Sequence, residues 1–150
     1  EFDEAGIFYK ESVNIFEPIG LHKAGLAWAY FGLGETALAQ KDVVSAIAHL
    51  KNSLKFFNGY KNRLGISWCI GSLASAVALN KDHDLAAKLW GTADSLRETK
   101  GVREAPALHG LHEEIKTRSL TKLGDTKFQV LWAENKSIPL EQAVKEALAL

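Results

Sequence analysis

His109, His112 and Glu113 form the one cluster whose spacing could hold a metal ion, because side chains three residues apart share a face of a helix. No second group of ligands lies nearby, and the HExxH pattern of zinc hydrolases is not met. A closed zinc site needs four ligands and a catalytic one three, so no metal is expected. Ser, His and Asp all occur, but none sits in a GxSxG elbow between a strand and a helix, and no catalytic triad can be read. The phosphate-cradling GxxxxGK(S/T) loop is absent as well. The expectation is a non-enzymatic chain with no catalytic residue and no cofactor. Asn135-Lys136-Ser137 is formally a glycosylation acceptor, but without a secretion signal it carries no weight.

The aromatic residues follow a stronger pattern. Trp28 and Trp68 stand 40 residues apart, and the same offset carries Gly25, Leu33, Lys41 and Asp42 onto Gly65, Leu73, Lys81 and Asp82. A period of this length marks an array of small units, each too small to bury its own apolar face, so that the core forms between neighbours. The stretches from Gly25 and Gly65 carry apolar residues at helical spacing and end at a Lys-Asp turn. A second amphipathic stretch follows each, with Ala46, Leu50, Ser53 and Leu54 in one copy and Ala86, Trp90, Ala93 and Leu96 in the next. The same set precedes the first copy as Ala5, Tyr9 and Ser12, then Ile15 and Phe16. Small residues at these positions let two helices approach closely, so a large residue in place of Ala46 or Ala86 should overpack the contact. Pro18, Gly20, Asn58 and Gly59 break the helical pattern and are read as longer connections projecting from one edge.

Tyr30, Leu33, Gly34 and Ala37, repeated as Ile70, Leu73, Ala74 and Val77, resemble the first helix of the tetratricopeptide repeat. The match departs at Ala74, which replaces a Gly, and in the absence of a Pro at the repeat end. The 40-residue period is also longer than the family's 34. The resemblance implies an all-α, right-handed solenoid of helical hairpins over residues 1–105. From residue 101 the repeat stops, KGVREAP at residues 100–106 reads as a breaker stretch, and residues 106–150 are expected to form a C-terminal cap of three helices in the same domain. The first spans Pro106 to Leu123 with Leu108, Leu111, Ile115 and Leu120. The second opens at Gly124, is capped by Asp125 and carries Phe128, Leu131 and Trp132. The third begins near Pro139 and lines up Leu140, Ala143, Val144, Ala147 and Leu148.

Ala86, Ala87, Leu89, Trp90, Gly91, Ala93, Leu96 and Arg97, then Leu123, Gly124, Phe128, Trp132, Ala133 and Glu134, then Leu140, Glu141, Ala143 and Ala147 carry a further likeness. They resemble the C-terminal ends of large bacterial signalling ATPases and their relatives, in which a tetratricopeptide-like array accompanies a LuxR-type, SARP-type or adenylate cyclase domain. This implies a sensor or partner-binding module in a multidomain regulator, with the other domains of the parent chain among its partners. His112 stands where that family usually carries an aromatic, which favours packing over metal binding.

In tetratricopeptide arrays the first helices line a concave groove. That makes Trp28, Phe31 and Glu35 one wall and Trp68, Ser72 and Ser75 the next, with a protein or peptide segment or a small effector as ligand. A competing reading packs both indoles under the long connections as core. A second class of function is a purely structural spacer or oligomerisation array without a ligand.

The balance of 18 basic and 18 acidic residues lacks the basic stripe of a nucleic-acid binder, so none is expected as a direct partner. No run of 18 apolar residues spans a membrane, no signal peptide is visible, and the segment reads as cytoplasmic. The 47% hydrophobic content can fill a continuous core. Cys69 has no disulfide partner and sits in an apolar helical stretch. The chain contains no Met, which suggests a piece of a larger protein.

Overall fold

The computed structural model describes residues 2–20, 22–98 and 108–150. Among them are eight helices and no strand, so the expectation of an all-α chain holds. In chain order they are α1 (Phe2–Ile19), α2 (Lys23–Ala39), α3 (Val43–Gly59), α4 (Arg63–Leu79), α5 (His83–Glu98), α6 (His109–Leu123), α7 (Asp125–Glu134) and α8 (Leu140–Leu148).

One three-residue device joins the helices from α2 to α5. At the end of α2, Lys41 adopts φ 61°, its N–H reaches the Leu38 carbonyl at 3.0 Å, and the Asp42 N–H reaches the Ala37 carbonyl at 2.9 Å. This is the paired closure that satisfies the orphan carbonyls of a helix end. Asp42 then caps α3 by accepting the Ser45 N–H at 3.1 Å. Lys61 with Asn62, and Lys81 with Asp82, repeat every part of it, down to the caps on Gly65 and Leu85. The turn thus recurs every 20 residues, at half the period read from the sequence.

The connections at Pro18 and Asn58 are therefore not long, contrary to expectation. Pro18 lies in the last turn of α1, and Asn58 and Gly59 belong to the last turn of α3. The extra residues of each repeat lengthen the helices instead, to 17 residues each in α2, α3 and α4. Connections this short make consecutive helices antiparallel neighbours, and each packs on the next from α1 through α5.

Burial follows from this order. The helices α2 and α4 lie between others and bury 12 of their 17 residues each, as expected of helices apolar on nearly every side. Of α3, only the face of Ala46, Leu50, Ser53, Leu54 and Phe57 is buried. The Leu50 side chain fills the space where a Cβ on Gly34 would stand, so α2 and α3 approach closely there. Ala46 and Ala86 are fully buried, at the small positions the sequence marks.

The chain then runs back along α5. Ion pairs and hydrogen bonds from Lys127 to Asp84, Trp132 to Asp94 and Lys136 to Glu98 set α7 parallel to α5. Ser119 meets His83, and Lys116 meets Asp94, so α6 is antiparallel to it. Gly124, at φ 79°, is the cap position between α6 and α7 and offers no side chain. Asp125 is the first residue of α7 rather than its cap, where its charge still suits the helix N-terminus. The last helix, α8, returns across α3, α4 and α5 and buries Ala143, Val144 and Ala147. The expected start of α6 at Pro106 and the breaker at residues 100–106 lie outside the described residues. No described helix is long and apolar enough to cross a membrane.

Candidate functional site

Trp28, Phe31 and Glu35 share one face of α2, and Trp68, Ser72 and Ser75 share one face of α4, because spacings of three and four residues return to the same side of a helix. The structure turns these two faces toward each other and divides the valley between them into two unlike halves.

The half nearer the helix N-termini is aromatic. The Trp28 ring stands edge-on to Trp68, with centroids 5.5 Å apart, and to Phe57 of α3 at 4.8 Å. Phe31 is buried beneath both indoles, at 6.2 and 6.0 Å. Edge-to-face contacts at these distances add to the burial energy of the rings. Trp28 nevertheless keeps 38% of its surface exposed, and Trp68 is half-buried. The indoles are thus neither free walls of a groove nor core hidden under a connection: they form one cluster with an open side at Trp28. Of the basic residues at this end, Lys23 and Lys61 are exposed and Arg63 is half-buried.

The other half is polar and already occupied. His112 of α6 reaches across both helices, with Nε2 3.0 Å from Oε2 of Glu35 and Nδ1 2.7 Å from Oγ of Ser75. Glu35 and Ser75 are 6% and 0% exposed, and Ser72 is buried at 3%. Two protonation states satisfy this chain of bonds. A neutral ring with its proton on Nε2 donates to Glu35 and accepts the Ser75 hydroxyl. A protonated ring donates at both nitrogens, and the hydroxyl then turns to the Gly71 carbonyl at 3.4 Å. The second oxygen of Glu35, Oε1, is buried and has no hydrogen-bond partner among the described residues.

Ser, His and Glu in this order have the composition of a hydrolytic triad, but the surroundings do not suit that chemistry. Ser75 is fully buried in the body of α4. Backbone N–H groups within a helix are committed to carbonyls one turn earlier, so none there is free to stabilise an oxyanion. The arrangement does the work of a staple that joins α2, α4 and α6.

His109 and Glu113, the other two members of the cluster read as metal-like, are exposed on α6 while His112 points inward. Among the described residues no group of three or more His, Cys, Asp and Glu could hold a metal ion. Cys69 is fully buried, donates its S–H to Ser53 Oγ at 3.2 Å, and Ser53 in turn donates to the Ala27 carbonyl at 2.7 Å. Burial pushes the Cys69 thiol up to about 12, which removes the reactive thiolate at neutral pH.

Sequence reasoning placed Glu35 and Ser75 in the valley but not His112 against them. Extending the 40-residue offset past residue 101 would have done so, because it carries Gly32 to Ser72 and Ser72 to His112. No protein-family model, curated protein or solved structure matches the chain.

Proposed function

We propose that the chain is a non-enzymatic recognition module, a right-handed tetratricopeptide-like solenoid that binds a peptide or protein segment, or a small effector, in the valley between α2 and α4. The observation that carries this reading is the aromatic half of that valley. Trp28 leaves 38% of its surface open at the edge of a rigid cluster with Trp68, Phe31 and Phe57. Large aromatic side chains held in place lose little entropy on binding and dominate recognition surfaces. The recurring turns and the interleaved helices support the repeat architecture, and the resemblance to regulator C-termini supports a place in a bacterial signalling or transcriptional regulator. The buried, hydrogen-bonded Ser75 supports the absence of catalysis.

Peptides selected from a random library against the chain provide the test. Trp28→Ala and Trp68→Ala should each weaken their binding at least tenfold while helical circular dichroism is preserved. Binding untouched by both changes would refute the valley as the site.

One observation favours a second reading, a structural or self-associating array without a ligand. Ile7, Phe8 and Ile15 on α1 are 56%, 67% and 58% exposed, and exposed apolar residues grouped on one helix are a common basis of association. Light scattering over a concentration series decides it. Self-association removed by Phe8→Ser and Ile15→Ser would support this reading, and a monomer at all concentrations would refute the self-association.

A further inference from the structure

We infer that α6 is a displaceable lid on the polar half of the valley, an internal occupant held by His112; this rests on the valley being the recognition site. Of its 15 residues only Ile115 and Ser119 are buried, against 12 of 17 in α4. Leu111, Leu120 and Leu123 pack against the core only partly buried, and polar contacts complete the seat. His112 bonds Glu35 and Ser75, Ser119 bonds His83 at 2.9 Å, and Lys116 lies 3.5 Å from Asp94. Leu108, at the start of α6, makes no side-chain cap. An open pocket of about 370 Å³ lies beside the contact of the far end of α6 with α4 and α5, lined by Leu79, His83, Ile115, Arg118 and Thr121 among others.

These features set the energetics of opening. Polar contacts are exchanged for water at small net cost, and withdrawing one buried and three partly buried apolar side chains costs far less than exposing the apolar faces of α2 or α4. Segments with few buried apolar contacts open locally well below the free energy of global unfolding. Lifting α6 uncovers Glu35, Ser72 and Ser75 and extends the open valley from Trp28 to Glu35. That is about 10 Å along α2 at 1.5 Å per residue. Among the described residues Oε1 of Glu35 has no hydrogen-bond partner, which points the same way, because water satisfies this buried acceptor once α6 departs.

Amide hydrogen exchange on the whole 150-residue chain tests this without any ligand. The amides of α6 should exchange at least 100-fold faster than those of Leu73 to Val77 in α4. His112→Ala should speed α6 by roughly a further tenfold, the size expected for loss of one to two hydrogen bonds, with α4 unchanged. Glu35→Gln keeps the shape and should act in the same direction, more weakly. Equal protection of α6 and α4 in the wild type, or a variant that speeds both helices alike, would overturn the lid. A valley without any ligand would leave this exchange pattern intact, so the two readings fail separately.

Discussion

Gly91 on α5 is where the packing of the C-terminal helices can be put to a sharp test. A Cβ added at Gly91 would overlap the backbone carbonyl of Trp132 in α7, which cannot move aside as a side chain could. Gly91→Ala therefore gains about 1 kcal/mol of helix propensity and loses the seating of α7. Phe128 is 4% exposed there, and lifting such a side chain costs about 2–3 kcal/mol. The Trp132 indole donates to Asp94 at 2.8 Å, a bond to a charged group that contributes about 1.5–3 kcal/mol. With partial relaxation, the net loss is about 2–4 kcal/mol. Gly71→Ala serves as the control, because its Cβ would meet Arg97 Nη1 at 3.6 Å and Ala93 Cβ at 3.7 Å, both ordinary contacts. That variant should gain about 0.5–1 kcal/mol from propensity alone. Urea unfolding followed by circular dichroism at 222 nm reads both. Equal stability of Gly91→Ala and wild type, or equal losses in the two variants, would refute the described contact of α5 with α7.

Lys41, Lys61 and Lys81 each hold a left-handed backbone that costs a residue with a Cβ about 1–2 kcal/mol. Changing all three to Gly should stabilise the chain and raise Tm by about 2–4 °C per kcal/mol gained; an unchanged or lower Tm would count against the turn geometry. Ala46→Leu should cost about 1–3 kcal/mol by overpacking α3 where Ala46 is fully buried, and a thermal melt that matches wild type would refute that packing. Burial, then the nearby Lys10, hold the His49 imidazole below its ordinary value of 6.5. The unfolded chain therefore binds the proton first: stability is undiminished above pH 6.5 and falls as pH drops through 6.5 toward the lower folded value. His49→Gln should flatten that acid-side decline in urea midpoints between pH 7 and 5, and an identical slope in the variant would contradict it.

The repeat was legible because its signals are local. Trp28 with Trp68, and Lys41-Asp42 with Lys81-Asp82, mark equivalent helices by spacing alone. The half-period is masked in the sequence because Lys61-Asn62 does the job of Lys-Asp with a different capping residue, inside a stretch whose Asn58 and Gly59 look like breakers. Tertiary packing keeps both residues helical. The aromatic cluster could be anticipated from face-sharing, but its half-open state could not, since Phe57 of α3 and Tyr60 just beyond its end join it. His112 meets Glu35 across 77 positions of sequence. No local pattern encodes a contact of that kind; only the register of the repeat carried into α6 points to it.

In the proposed function the α2–α4 valley receives the ligand at Trp28. The indole N–H signals in a proton–nitrogen NMR spectrum, titrated with a library-selected peptide, test it without any mutation, because the four tryptophans are distributed over the fold. The account predicts saturable shifts of the Trp28 and Trp68 signals while that of Trp90, 3% exposed in α5, stays fixed. A bound peptide that leaves Trp28 unmoved, or that shifts only Trp90 or Trp132, would contradict it.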